Sequence, residues 1–475
     1  MANAETNDRK DREASYDVIV IGAGSTGTNV AWYARDNDLS VAVVESELVG
    51  GECSYWACIP SKVLLGSSAA VAAARRIPGA AAAVNGELDV DAVFARRTQW
   101  THGWDDEAQV SWLKRIGAEL FRGRGQLAGE RRVEVALDDG GSRTLTASRA
   151  VVVASGSRAS IPPIDGLRET RVWDNRGATA AERVPGRLLV LGGGAVGVEM
   201  AQAYRRFGAE VTIVERADRL LGSYEPEVSE VMRAVLEADG VTVLSGTAAA
   251  SVARREGDEG PVTVSTQDGE ELAGDELLVA IGRTPNTDEL GLETVGLSPG
   301  GPLAVDNRLR VTGVDGGWLY AAGDVNGRVL LTHQGKYQAR IIGDVIAGKD
   351  GTAWADQRAV PQVLFTDPPA ASVGMTEQQA RDAGREVKTV AADPNRVAGG
   401  ALHGHDHGMA KLVIDQARRV VVGASFVGPD AGEILHSATI AIVGEVPLET
   451  LWHAVPAYPT TSEVWLRLLE ADRGL

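Results

Sequence analysis

Cys53 and Cys58 are the only cysteines in the 475-residue chain, and both lie in the segment 50–62, GGECSYWACIPSK. Two cysteines cannot build a framework of structural disulfides, so a bond between them is expected to be catalytic. Residues five positions apart in a regular helix are separated by a rise of about 7.5 Å, whereas the Cα atoms of a disulfide lie roughly 4.4 to 6.8 Å apart. A Cys53–Cys58 bond would therefore need a distorted backbone and would be easily reduced. The alternative is a pair of buried free thiols.

The residues after Cys58 indicate the start of a helix. Pro60 fits a first helical turn, where its missing N–H would be unbonded in any case. Cys58 is then expected at the helix N-terminus, where backbone N–H groups lower the pKa of a thiol and Lys62 adds a positive charge.

The chain has the pattern of a dinucleotide-binding unit twice. In the first unit, the apolar run 18–21 leads into a glycine-rich turn and a helical stretch, and the run 41–44 ends at Glu45. The second unit spans 188–215 and ends at Glu215. Such glycines form the tight turn, leave room for a pyrophosphate and let the helix pack closely on the strand. The acid accepts a hydrogen bond from a ribose hydroxyl. Two units imply two dinucleotides, most simply a flavin and a nicotinamide, and the alternative is two helix-packing turns. The glycines are Gly22, Gly24 and Gly27, then Gly192, Gly194 and Gly197.

The length of the chain and its pattern of apolar segments predict several domains. A chain of 475 residues exceeds what one hydrophobic core usually supports. The segments 151–157, 278–286 and 319–324 are apolar strands that end in small residues, where an α/β sheet meets its ligand. From about 351, alternating apolar strands and helical stretches predict a separate α+β domain.

Charge and hydropathy narrow the function classes. The net charge of −18 argues against the basic stripe that nucleic-acid binding needs. Residues 1–15 are polar and are interpreted as a disordered leader, not a signal peptide. No run approaches the roughly 18 apolar residues of a membrane span, so we expect no membrane partner and a cytoplasmic protein.

These motifs, together with GRTPN at 282–286, AAGD at 321–324 and the stretch LFTDPPAASVGMTE from Leu364, resemble the class I pyridine nucleotide-disulfide oxidoreductases over about 16 to 470. The resemblance implies an α/β fold with two Rossmann-like domains and a C-terminal α+β dimerisation domain. The FAD-binding domain would comprise 16–160 and 286–350, the NAD(P)-binding domain 161–285, and the dimerisation domain 351–475. It also implies FAD, NAD(H), a homodimer and a small-molecule acceptor.

The resemblance also assigns roles to residues. Cys58 would be the thiol that faces the flavin, Cys53 the thiol that meets the acceptor, and Lys62 would pair with Glu199 beside the flavin ring. A cation there would stabilise reduced flavin and a thiolate. Asp324 would bond the ribityl chain of FAD. The further residues expected at the cofactors are Gly51, Gly125, Ser155, Gly156, Gly282, Arg283 and Gly323.

The nicotinamide preference is predicted from the second dinucleotide unit. A carboxylate at Glu215 binds the 2′-hydroxyl of NAD and repels the phosphate of NADP. Family members that use NADH also tend to have glycine at the position of Gly197. Both features indicate NADH, while Arg216 and Arg219 could bind a 2′-phosphate and leave NADP(H) open.

One position departs from the family. Disulfide reductases of this type carry His-Pro-Thr-x-x-Glu near the C-terminus, where the histidine handles the proton of the substrate thiol. Here Tyr458 stands in place of the histidine and Glu463 is retained. A phenol with a pKa near 10 is a poor base at neutral pH, unlike an imidazole with a pKa near 6.5. His453 could take over this role, although an interface or packing role is the simpler interpretation.

Three functions are therefore open. The first is an NADH-dependent reductase of a small disulfide, of the dihydrolipoamide dehydrogenase kind. The second is a reductase of another acceptor, such as mercuric ion, a quinone or a second nucleotide. The third is an electron-transfer subunit of a larger complex. The tract 403–407, HGHDH, could bind a metal, but a solvated loop is the expectation and no metal is assigned.

Overall fold

The computed structural model describes residues 14–254 and 260–475. Its strands are β1 (Ala14–Ile21), β2 (Val41–Glu45), β3 (Glu119–Leu127), β4 (Arg132–Leu137), β5 (Ser142–Val153), β6 (Ser157–Ala159), β7 (Arg187–Leu191), β8 (Glu210–Glu215), β9 (Thr242–Ser245), β10 (Ala249–Arg254), β11 (Val262–Thr266), β12 (Glu271–Gly274), β13 (Glu276–Val279), β14 (Arg283–Pro285), β15 (Leu319–Ala321), β16 (Gln362–Leu364), β17 (Ala370–Gly374), β18 (Val387–Ala392), β19 (Met409–Asp415) and β20 (Val420–Val427). Its α-helices are α1 (Ser25–Asp36), α2 (Gly51–Tyr55), α3 (Cys58–Arg76), α4 (Ala80–Ala83), α5 (Val90–Trp100), α6 (Glu107–Arg115), α7 (Asn175–Ala180), α8 (Ala195–Arg206), α9 (Pro226–Ala238), α10 (Thr332–Ile346), α11 (Glu377–Asp382), α12 (Ala398–Ala401), α13 (Ala431–Val443), α14 (Leu448–Leu451) and α15 (Val464–Arg473).

The chain divides into two compact units. The first comprises residues 14–60, 98–158 and 283–356, and the second comprises 61–97, 159–282 and 357–475 without 255–259. Of the predicted leader, residues 1–13 lie outside the described residues. Residues 14 and 15 are not part of a leader, because they pair with Leu145 and Thr146 of β5. The predicted domain boundaries stay a prediction.

The first unit is built on a parallel sheet in the order β3, β2, β1, β5, β15, and β4 pairs antiparallel with β3 and β5. Alternate residues of β1 face opposite sides, so Val18 and Val20 join one hydrophobic core while Ile19 and Ile21 join another. A sheet covered on both faces explains why the run 18–21 is apolar at every position.

The second unit contains a parallel sheet in the order β13, β7, β8, β9 and an antiparallel sheet in the order β16, β17, β20, β19, β18. Strands β10 to β12 form a small antiparallel sheet. Each of these parallel sheets contains a strand that is followed by a glycine turn, a helix and a second strand. This series is β1–α1–β2 in the first unit and β7–α8–β8 in the second. The predicted α/β fold class is therefore confirmed.

One stretch, Gly51–Arg76, is long and apolar enough to cross a membrane by length and composition alone. The apolar runs of the sequence predicted no such stretch. Its residues Leu64 and Leu65 are buried in the largest hydrophobic core of the second unit. Core helices pass the same length and composition test, so this stretch is weak evidence for a span.

Candidate active site

The backbone breaks between the two cysteines. Helix α2 ends at Tyr55, and Trp56 leaves the helical region with φ −137° and ψ −2°. The N–H groups of Trp56 and Ala57 both donate to the carbonyl oxygen of Glu52, at 2.8 and 2.7 Å. Helix α3 then starts at Cys58. The chain therefore has the distortion that a bond between residues 53 and 58 requires, and Cys58 lies at a helix N-terminus as expected.

The side chains of Cys53 and Cys58 form a hydrogen bond with each other. The Oγ1 atom of Thr332, the first residue of α10, lies 3.3 Å from the Sγ atom of Cys58. The hydrogen bond with Cys58 and, second, burial raise the pKa of Cys53 far above its usual value, while Thr332 and the positive charge of Lys336 oppose the rise. Within the pair, these contacts favour the protonated form of Cys53.

Both glycine-rich turns have the shape of a dinucleotide cradle. A Cβ atom at Gly27 would lie 1.9 Å from the carbonyl oxygen of Gly22, so only glycine allows this helix to start so close to its strand. Gly197 has the same relation to Gly192, at 2.0 Å. In contrast, no atom lies within 4 Å of a Cβ built at Gly24, and the same is true of its counterpart Gly194. These open positions fit the pyrophosphate groups of FAD and NAD(H).

The acid at the end of each second strand anchors its own glycine turn. Glu45 accepts hydrogen bonds from the N–H groups of Ala23 and Glu47, at 2.6 and 2.7 Å. Burial raises the pKa of Glu45, and these hydrogen bonds oppose the rise. Glu215 likewise accepts from the N–H groups of Gly193 and Ala217, at 2.6 and 2.7 Å. The two acids thus order the loops, a role that the sequence analysis did not assign to them.

Asp324 and Arg283 belong to one polar network in the first unit. The Asp324 carboxylate accepts a hydrogen bond from Ser157 Oγ at 2.6 Å. Arg283 donates a hydrogen bond to the same Oγ atom at 2.6 Å and lies 3.8 Å from the Asp324 carboxylate. Arg283 also lies 3.5 Å from Glu52, beside Cys53 in the sequence. Burial raises the pKa of Asp324, while Ser157 and Arg283 favour its charged form.

The other residues expected at the cofactors lie mostly in loops at strand ends. Ser155 donates to the carbonyl oxygen of Asn286 at 2.8 Å. A Cβ atom at Gly51 would lie 2.9 Å from the Cα atom of Gly24, so the start of α2 runs against the first glycine turn. The remaining members are Gly125 in β3, Gly156 after β5, Gly282 before β14 and Gly323 after β15.

In the second unit, Lys62 and Glu199 form the expected pair. The Lys62 Nζ atom lies 2.7 Å from Glu199 Oε2, and Glu199 is only 5% exposed. Glu199 Oε1 accepts from the N–H group of Phe365 at 2.9 Å. The Lys62 ammonium lies 4.8 Å from the centroid of the Phe365 ring. A buried carboxylate with both oxygens occupied holds the lysine in one place.

Tyr458 is exposed to 77% in this chain. Glu463 accepts from Arg467 at 2.6 Å through Oε1, while its Oε2 atom is buried and has no hydrogen-bond partner among the described residues. His453, the alternative base, is also exposed. In the part of the chain that the structure describes, Glu463 therefore orients no imidazole.

The tract 403–407 is only partly a solvated loop. His405 lies 3.2 Å from an Arg76 nitrogen and 3.7 Å from Asp367, with its side chain 7% exposed. Burial and the charge of Arg76 lower the pKa of His405 to about 4. Among residues 14–254 and 260–475, no group of three His, Cys, Asp or Glu side chains is arranged to hold a metal ion.

Three residues that contact the predicted site residues were not predicted from the sequence. Thr332 contacts Cys58 from a helix 274 positions later, Ser157 links Arg283 to Asp324, and Phe365 contacts both Lys62 and Glu199. Each contact depends on tertiary folding. Threonine, serine and phenylalanine are common residue types and do not by themselves indicate a functional site in a single sequence. Two signals were available, because Ser157 ends the segment 151–157 and Phe365 lies in the stretch from Leu364.

Comparison with known proteins decides the family. Residues 16–339 match the family model described as pyridine nucleotide-disulphide oxidoreductase, and residues 360–468 match the dimerisation domain of the same family. The chain belongs to this family. A dihydrolipoyl dehydrogenase of Haloferax volcanii is 34% identical over 472 residues, which cover 96% of each chain. A mercuric reductase of Staphylococcus aureus is 29% identical over 95% of this chain and 81% of its own length.

A solved structure of LpdA from Mycobacterium tuberculosis superposes with a TM-score of 0.86 and has 26% sequence identity, covering 96% of this chain and 99% of LpdA. The oxidoreductase is thus an FAD-dependent enzyme that uses NAD(H) and acts through a disulfide redox centre. Its dimerisation domain supports a homodimer.

Proposed function

We propose that this oxidoreductase carries electrons from NADH through FAD to Cys53 and Cys58, and from them to a small disulfide in the cytoplasm. The observation that carries the proposal is the hydrogen-bonded cysteine pair on either side of the helix break at Trp56. FAD would supply a two-electron carrier between nicotinamide and sulfur, and the first glycine turn and Asp324 are the residues of the first unit that would hold it. NADH would occupy the second glycine turn.

The thiol chemistry follows from the unequal pair. Cys53, once deprotonated, attacks one sulfur of the acceptor disulfide, forms a mixed disulfide and releases the first thiol. The Cys58 thiolate then attacks Cys53 Sγ, restores the Cys53–Cys58 bond and releases the second thiol. Each release consumes one proton, so the two thiol protons of the pair end on the products.

Proton transfer is the step for which this chain has the least suitable residue. The raised pKa of Cys53 means that a base must take its proton before attack. The resemblance to the family places Tyr458 where the base is expected, and a phenol is a poorer general base than an imidazole. We therefore expect slow turnover with neutral disulfides and a rate that rises with pH.

A panel of acceptors tests the proposal. The purified dimer with NADH should reduce lipoamide or glutathione disulfide, and Cys53→Ser should abolish this turnover while NADH still reduces the bound flavin. Turnover with a quinone that survives Cys53→Ser would show that this acceptor bypasses the cysteines. No turnover with any disulfide would contradict the proposal.

A second candidate is reduction of mercuric ion. It is favoured by the mercuric reductase relatives. Two neighbouring thiolates can bind a soft metal ion. Faster NADH oxidation with mercuric ion than with every disulfide would favour this candidate. Co-purification with a large acyltransferase core would instead favour a role as a subunit of a complex.

A further inference from the structure

Phe365 contacts both members of the Lys62–Glu199 pair. Its backbone N–H donates to Glu199 at 2.9 Å, and its ring lies 4.8 Å from the Lys62 ammonium. The ring is 47% exposed, so it does not serve mainly to fill a hydrophobic core. An aromatic face next to a cation attracts it through the negative charge density of the ring. Phe365 therefore restrains the direction in which the ammonium group points.

The position of Phe365 is fixed by Asp367, two residues later. The N–H group of Asp367 donates to Gln202 Oε1 at 2.8 Å, and its carbonyl oxygen accepts from Gln202 Nε2 at 3.0 Å. Gln202 is fully buried and lies three residues after Glu199 on α8. This pair of hydrogen bonds ties the backbone at residues 365–367 to the helix that carries the acid.

The Asp367 carboxylate connects the same segment to the helix that carries the lysine. It accepts from Arg76 of α3 at 2.6 Å and from Arg206 of α8 at 3.0 Å. Hydrogen bonds with three side chains on two helices thus hold residues 365–367. Lys62 and Glu199 lie on those same two helices. A segment held at so many points gives Phe365 little freedom to move away from the pair.

From these contacts we infer that Phe365 is a positioning residue, whose ring holds the Lys62 ammonium in the orientation that stabilises reduced flavin. The inference rests on the proposed role of Lys62 next to the flavin. Phe365 itself takes part in no bond making or breaking, and it acts only through Lys62. It differs from Glu199, which neutralises the lysine, because the ring directs the cation without removing its charge.

The test compares Phe365→Leu with Phe365→Tyr in the FAD-loaded dimer. Leucine keeps the backbone N–H and an apolar side chain but lacks the ring, whereas tyrosine keeps the ring. We expect Phe365→Leu to shift the equilibrium between oxidised and reduced flavin roughly 3- to 30-fold toward the oxidised form, the span of a partly exposed cation–π contact. Since tenfold equals 29.6 mV for two electrons, the midpoint potential should fall by about 15 to 45 mV. Tyrosine should restore the wild-type value.

The measurement is anaerobic equilibration of the flavin with a reference dye, accompanied by FAD content and Tm. Trp100→Leu, an exposed aromatic at the end of α5, serves as the matched control and should leave the potential unchanged. If Phe365→Leu does not retain FAD, Phe365→Met gives the same comparison. A lower Tm with an unchanged potential would assign Phe365 a structural role only and overturn the inference.

Lys62→Met separates this inference from the proposed function. In the Lys62→Met background, Phe365→Leu should cause no further fall in potential, because the ring then has no cation to hold. If Lys62→Met alone leaves the potential unchanged, the proposed role of Lys62 fails. If Lys62→Met lowers the potential and Phe365→Leu does not, only the inference about Phe365 fails.

Discussion

Replacement of Glu215 tests the nicotinamide preference, and the structure changes what the replacement is expected to do. Glu215 accepts hydrogen bonds from the N–H groups of Gly193 and Ala217, so its carboxylate orders the second glycine turn. Glu215→Ala removes this anchor together with the charge that selects NADH. Hydrogen bonds to a charged group each contribute about 1.5 to 3 kcal/mol, but these N–H groups can bond to water instead at a half-buried site. We expect a loss of about 1 to 2 kcal/mol in unfolding free energy.

The effect on specificity is calculated separately. Loss of one charged hydrogen bond to the ribose, worth about 1.5 to 3 kcal/mol, lowers kcat/KM for NADH roughly 10- to 150-fold. NADPH gains from the removal of charge repulsion, so its kcat/KM should fall less or rise. The ratio of the two values is the quantity to measure, since disorder of the turn affects both nucleotides equally.

Glu215→Gln separates charge from anchoring. The amide oxygen can still accept from one loop N–H, so Tm should fall less than in Glu215→Ala while the ratio still shifts toward NADPH. Glu45→Gln in the first unit is the matched control, because the same change there should weaken FAD retention and leave the nucleotide ratio unaltered. Arg219 is already bound to the carbonyl oxygens of Leu221 and Gly222, which leaves Arg216 as the exposed cation for a phosphate. A wild-type enzyme with the higher kcat/KM for NADPH would refute this reasoning.

Two further predictions concern protons. Tyr458→His should raise disulfide reductase turnover at pH 7 by about 10- to 100-fold if loss of the base limits the rate, since one oxygen of Glu463 has no partner within 14–254 and 260–475 and could orient an imidazole. An unchanged rate would mean that the shape of the pocket restricts the reaction. His405 has a folded pKa of about 4, below its usual 6.5, so the unfolded chain binds more protons between these values and stability falls as pH drops from about 6.5 toward 4. After allowance for solvent screening of this partly exposed cluster, the loss at pH 5 is about 1 to 2 kcal/mol. The decrease in Tm from pH 7 to pH 5 should be smaller in His405→Asn than in the wild type, and an equal decrease would assign the acid sensitivity to other groups.

The predictions that succeeded from sequence depend on local backbone constraints. The glycine turns could be predicted because a close approach of helix to strand permits only glycine at Gly27 and Gly197. The break between Cys53 and Cys58 could be predicted because five helical positions span too great a distance for a disulfide. Such constraints act within a few residues and leave a mark in the sequence.

The parts that sequence did not predict are contacts between distant segments. Phe365 meets Lys62 across about 300 positions, and Thr332 meets Cys58 across 274. The Lys62–Glu199 pair itself was available only through resemblance to a family. The second role of Glu45 and Glu215, as anchors of the turns, was missed because a carboxylate at a strand end has several possible partners and only the folded backbone selects among them.

The most direct test of the central claim is an anaerobic titration of the FAD-loaded dimer with NADH, followed by absorbance at wavelengths beyond the flavin bands. The account predicts that a long-wavelength band of thiolate-to-flavin charge transfer develops in the wild type and in Cys53→Ser and is absent in Cys58→Ser. A band that persists in Cys58→Ser, or that disappears only in Cys53→Ser, would contradict the assignment of Cys58 as the thiolate beside the flavin.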